Sequence, residues 1–182
     1  LNAARPCAFR MVLAPTLSAP RLVGSCPGWT PEGPDGPGGV SALRREALCV
    51  ALTSEPVATA AGGATLLLGL GGTANQLCAG LGIPVVSIDE KGKRVQKKLL
   101  GDAEILVKAT PEALADGALR VLGDPQRFAR MSAAGRQRMG APGALANVVE
   151  YAASALGWDV REALYERLRG AVEPRSGGGV TS

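Results

Sequence analysis

The chain has 182 residues, a length that suits one compact domain or one domain with a flexible stretch at either end. Apolar residues make up 46% of it and aromatics only 3%, so its core must be Ala, Leu and Val, a composition suited to helices on a buried parallel sheet rather than an aromatic-rich antiparallel sandwich. With a net charge of +4 and so few aromatics there is no stacking platform for single strands and no nucleic-acid partner is expected, whereas a phosphate-bearing ligand or an anionic membrane surface is compatible.

Histidine is absent, which excludes Ser-His-Asp and Cys-His catalysis, His-based zinc sites and any His acid or base within this chain. Cys7, Cys26, Cys49 and Cys78 are widely spaced with no CxxC pair, and read as reduced structural thiols of a cytoplasmic protein. Arg5 and Arg10 flank no apolar stretch of signal-peptide length. Leu1 as the first residue, with a Pro/Gly-rich stretch soon after, reads as a partial chain.

Residues 8–14 predict a first strand, ended by Pro15. Residues 24–39 are a Gly/Pro-rich connection without apolar periodicity. Arg44-Arg45-Glu46 form a charged patch, and Ala47 to Leu52 read as a strand followed by Thr53 and Ser54, which cap a helix or line a base pocket. The segment from Pro56 to Ile88 carries no charge, yet its glycines, Pro84 and the polar block Thr73-Ala74-Asn75-Gln76 argue against a membrane span. It reads instead as a short helix over 55–61, a buried central parallel strand over 64–70, a turn at Gly71-Gly72, a helix over 73–80 with Leu77 and Leu81 on one face, and a strand over 83–88.

A basic helix follows over 91–100 and a short strand over 104–107. Thr110-Pro111 and Asp124-Pro125 each pair a capping side chain with Pro at the first helical position, and Gly123 separates the two helices they open. Further helices are expected over 143–156 and 159–170, with Trp158 and Tyr165 as packing residues, and a disordered tail over 173–182. The alternation predicts an open, mostly parallel, Rossmann-like α/β sheet flanked by helices, with a helical C-terminus. The expected divisions are 1–40 (first strand and loop), 41–157 (the sheet domain) and 158–182 (last helix and tail).

Ligands of such sheets bind at the carboxyl ends of strands, beside the turns into helices, which singles out residues 69–76 and 89–96. Gly71 and Gly72 let the backbone approach a ligand, and the amides opening the next helix favour a phosphate, with the Thr73 hydroxyl as an extra donor. The plainer reading is a tight strand-to-helix turn. Gly69-x-Gly71-x-x-Ala74, with Asp89 twenty residues after Gly69, also mimics a dinucleotide fingerprint, in which Asp89 would hold an adenosine ribose.

Gly72-Thr73-Ala74-Asn75-Gln76, then Ala79-Gly80-Leu81-Gly82-Ile83-Pro84-Val85-Val86, resemble the donor-binding segment of GT-B glycosyltransferases, most closely the lipid-A-disaccharide-synthase-related group. Gln96 before Leu99-Leu100-Gly101 fits that group too, as do the helices around Leu122-Gly123-Asp124-Pro125, Met131 and Ala134-Gly135-Arg136; the resemblance spans residues 47–156. It implies a nucleotide-sugar, UDP-linked, bound as donor substrate by Gly71, Gly72, Thr73, Ala74, Asn75 and Gln76, with Gly92 and Gln96 facing it from the next turn and one of Lys93 or Arg94 offsetting the diphosphate charge. Gln76 stands where such families carry a carboxylate for the ribose, so the charge-assisted bonds are missing. Lys97 and Lys98 read as a solvated helix face.

The resemblance further implies sugar transfer to a lipid-linked or other hydroxyl acceptor, no cofactor, no metal (there is no Asp-x-Asp motif), and an N-terminal partner domain supplying the acceptor site and general base. The expected place is cytoplasmic, with a peripheral contact at the inner membrane face left open. A nicotinamide-dinucleotide-binding domain and a degenerate, non-catalytic interaction module are the alternatives.

Overall fold

The computed structural model describes residues 6–34, 36, 39–140 and 144–156, except for the side chains of 144–146. Two compact units divide the chain, Leu1–Met139 and Gly140–Ser182. Within the second unit the described residues form one helix, Ala144–Ala155. The expected helix over 159–170, Trp158, Tyr165 and the expected tail lie outside the described residues.

The first unit is an open α/β fold, compatible with a Rossmann-like arrangement. Its strands are β1 (Phe9–Val12), β2 (Thr30–Glu32), β3 (Ala42–Arg45), β4 (Leu48–Thr53), β5 (Leu67–Gly69), β6 (Val85–Ile88) and β7 (Glu104–Val107). The helices are α1 (Ala19–Ser25), α2 (Val57–Ala60), α3 (Thr73–Gly80), α4 (Lys93–Leu100), α5 (Pro111–Leu122) and α6 (Pro125–Met139), and the helix of the second unit is α7.

The strands form two sheets where the sequence suggests one. The order β1-β4-β3-β2 is mixed, with β1 parallel to β4 and the other pairs antiparallel; β5-β6-β7 is wholly parallel. Both β1 and β5 are outer strands of their sheets, so the central strand of the parallel sheet is β6 and not β5 as expected, and Leu68 of β5 is exposed because nothing pairs beyond that strand among the described residues. The Gly/Pro-rich connection is not structureless: β2 lies in it, held by pairing to β3 and by an Arg44–Glu32 ion pair at 2.5 Å. Strand pairing therefore crosses the boundary expected near residue 40.

A side-chain period of two divides the three-stranded sheet into an α3 face and an α5 face. Val86 and Val107 pack with Val121 and Met131 on one side, where a side chain at Gly117 of α5 would meet Val86, Val107 and Ile105. Val85 packs with Ala79, Leu100 and Ala103 on the other. Ser87 and Glu104 belong to this second face, because Glu104 pairs with Val85, two residues before Ser87. The scarcity of large aromatics is met by close approach: Gly135 of α6 lies directly against the Ala79 backbone of α3.

Local signals place the helix starts. Ser18 Oγ accepts from Arg21 N, Thr110 Oγ1 from Ala113 N at 3.2 Å, and Asp124 Oδ1 from Arg127 N at 2.9 Å. The uncharged segment 56–88 folds as α2, β5, α3 and β6, and among the described residues no helix is long and apolar enough to cross a membrane.

Candidate functional site

Parallel neighbours β5 and β6 both end on the edge where α3 and α4 begin. After Gly69 the chain passes through Leu70, Gly71 (φ 117°) and Gly72 (φ 79°), both in the region that favours glycine, and enters α3 at Thr73. After β6 it passes through Asp89, Glu90, Lys91 and Gly92 (φ 95°) and enters α4 at Lys93.

Neither helix start carries a capping side chain or an acidic residue in its first turn. The contrast with the capped starts of α1, α5 and α6 is plain. A helix leaves its first amides without intrahelical partners, so Thr73 and Ala74 present donors at the positive end of the α3 dipole. Thr73 is exposed and Ala74 half-buried.

Two side chains one turn apart on α4 meet the glycine turn. A side chain on Gly71 would overlap the ammonium of Lys93 and stand 2.9 Å from its Cε, so the missing Cβ makes room for that lysine. Gln96 Oε1 accepts from Gly72 N–H at 3.0 Å, and Gln96 Nε2 donates to Gly72 C=O at 3.3 Å. Lys97, on the inner side of α4, donates to the carbonyls of Gly101 and Glu104, the latter at 2.5 Å, and so ties the helix to β7. It is thus a structural tether, where the sequence suggests a solvated lysine. Arg94 and Lys98 are exposed.

Of the residues expected at the ligand, Gly71, Gly72, Thr73, Lys93 and Gln96 come together here. Ala74 and Gln76 are half-buried on α3, and Gly92 and Arg94 are exposed at the start of α4. Asn75 differs: its side chain turns away from the open edge into the core, fully buried. Its Nδ2 donates to Ser87 Oγ at 2.7 Å and to Glu104 Oε1 at 2.9 Å. Sheet polarity explains this, since Ser87 and Glu104 are polar positions on the face that α3 covers and need a donor. Sequence reasoning missed both; a Ser within Val85-Val86-Ser87-Ile88 and a Glu opening an apolar strand were the available signals.

Asp89 is exposed at the carboxyl end of β6, its amide bonded to Val107 C=O at 2.7 Å. Thr53 Oγ1 accepts from Glu55 N at 3.1 Å, a local turn bond rather than the cap of α2, whose first turn follows Pro56. Cys78, on α3 behind the turn, is buried, and that burial pushes its thiol up, leaving a neutral packing group. Among the described residues no group of three or more His, Cys, Asp or Glu is placed to hold a metal ion. An open hollow of about 570 Å³ lies against Asp116, Leu119 and Arg120 of α5, but it offers no convergent donors, and the chemistry points to the glycine turn.

The turn presents the amides of Thr73 and Ala74 and the Thr73 hydroxyl, with the Lys93 ammonium beside Gly71. No family model matches the chain, and no curated protein and no solved structure matches it.

Proposed function

We propose that this chain is the nucleotide-sugar-binding half of a GT-B-type glycosyltransferase, taking a UDP-linked sugar at the turn formed by residues 71–76. The observation that carries the reading is the meeting of the two segments on which the family resemblance rests, Gln96 of α4 bonding the backbone of Gly72 while Lys93 stands against Gly71. Thr73 and Ala74 amides would take diphosphate oxygens, and Lys93 and Arg94 would offset their charge. The role in catalysis is electrostatic: the departing diphosphate is stabilised by oriented dipoles and cations that need not reorganise.

Transfer to a hydroxyl acceptor needs an acceptor site and a general base from a second domain, and on this reading the chain acts in the cytoplasm or at the inner membrane face. The exposed carboxylate of Asp89, at the end of the strand beside β5, favours a second reading, in which the turn holds a nicotinamide dinucleotide and Asp89 its ribose. Thermal stabilisation by UDP, UDP-N-acetylglucosamine, NAD and ADP, each at millimolar concentration, separates the two, since a ligand of the folded state raises its melting temperature. The donor reading expects a shift with the uridine ligands alone, lost in Thr73→Val. A shift with NAD alone, lost in Asp89→Asn, replaces it with the dinucleotide reading; no shift with any of the four leaves an interaction module.

A further inference from the structure

A turn built on two successive positive-φ glycines is free of steric strain, but glycine loses more backbone freedom on being fixed than any other residue, so the turn is easily left. A Cβ on Gly72 would meet nothing within 4 Å, so on that side no packing holds the residue in place. Some other restraint must fix the turn if the α3 amides are to point one way before a ligand arrives. Within α3 the natural source is the third helical residue, whose side chain in a capping box reaches back to the amide of the cap. That residue is Asn75, and its side chain is engaged in the core with Ser87 and Glu104.

The reach-back bond comes from the neighbouring helix. Gln96 occupies both polar groups of Gly72, accepting its N–H and donating to its C=O. Lys93, three residues earlier on α4, covers Gly71. One face of α4 thus holds the two glycines of the turn, while Lys97 on the inner side fastens α4 to the carbonyls of Gly101 and Glu104.

We infer that Gln96 is a positioning residue: it acts on a phosphate ligand through Gly72, by keeping the turn in its binding shape, and does not itself hold the ligand. With the Gly72 amide already taken, the donors left for a phosphate are those of Thr73 and Ala74, one turn of helix aimed by a side chain from another. The effect on affinity rests on the phosphate-binding reading of the turn; the effect on the free protein rests on the two hydrogen bonds alone.

The test uses the full chain with Gln96→Ala and Gln96→Glu, and two readouts. Amide hydrogen exchange at Gly72 is followed by NMR without ligand, and the affinities for inorganic pyrophosphate and UDP are measured by calorimetry. Gln96→Ala is expected to speed Gly72 exchange and to weaken both ligands about tenfold, with little change in melting temperature because the pair is exposed. Gln96→Glu keeps an acceptor for the amide, so exchange should stay slow while the added charge beside the phosphate weakens binding further. A falling melting temperature with unchanged affinity reduces Gln96 to a structural bond, and tighter binding by Gln96→Ala makes it a competitor of the ligand; either overturns the inference. If the unaltered chain binds neither pyrophosphate nor UDP, while Gly72 exchange still rises in Gln96→Ala, the phosphate reading fails and takes the positioning role with it, leaving the clasp.

Discussion

Asn75 and Glu104 are hydrogen-bonded inside the first unit at 2.9 Å, and each keeps one oxygen, Asn75 Oδ1 and Glu104 Oε2, without a partner among the described residues although both side chains are fully buried. Asn75 is the donor for two acceptors, Glu104 Oε1 and Ser87 Oγ, so its loss strands both in the core. Asn75→Ala is expected to destabilise by about 1–3 kcal/mol, the cost of leaving buried acceptors unmade. A urea titration reads this as a lower midpoint at unchanged slope. An unchanged midpoint would mean that water takes the amide's place.

Gly69 closes β5 directly above that amide. A Cβ there would overlap Asn75 Oδ1 and stand 2.7 Å from its Cγ, and the two bonds to Ser87 and Glu104 keep the amide from yielding. Gly69→Ala is therefore expected to cost about 1–3 kcal/mol through overpacking. The clash needs Asn75, so the double variant Gly69→Ala/Asn75→Ala should lose less than the sum of the single losses. Additive losses in the same urea experiment would place the strain elsewhere.

Gly135 reverses a familiar rule. In an exposed helix interior, Gly→Ala stabilises by about 1 kcal/mol because alanine is the better helix former. Here a Cβ would overlap Ala79 O and lie 2.9 Å from Ala79 C, backbone atoms that cannot rotate aside. Gly135→Ala should lower the melting temperature by forcing α6 off α3. A raised melting temperature would show that the helices separate without cost.

How far these features can be read from the sequence depends on how local their causes are. Thr110-Pro111 and Asp124-Pro125 announce α5 and α6 because the cap, its acceptor and the first helical residues lie within four positions. The bounds of α3 follow from Gly72 before it and the Gly82 turn after it. By contrast, β2 is a strand because of residues 42–44 opposite it, and nothing in Thr30-Pro31-Glu32 declares that pairing. The inward turn of Asn75 is illegible for the same reason, its acceptors standing 12 and 29 residues away. The Gly71-Gly72 turn itself was legible, whereas the clasp of Gln96 on Gly72, across 24 residues, needed the sheet that sets α3 beside α4.

Asp124 offers a pH signature. Its carboxyl pKa is lowered, chiefly by the backbone hydrogen bond from Arg127 N and then by the charges of Arg127 and Arg130. A carboxylate whose folded pKa lies below its unfolded value contributes stability that is present above the unfolded pKa and lost as pH falls through the folded one. The window therefore begins near the ordinary aspartate value of about 4 and extends below it. Asp124→Asn keeps a capping oxygen but removes the titration. In melting curves from pH 7 down to pH 2, the gap between the unaltered chain and Asp124→Asn should hold at neutral pH and close across that acid window. A gap that stays constant throughout would mean that the cap stabilises α6 equally in both protonation states, and that Asp124 gives the fold no acid sensitivity.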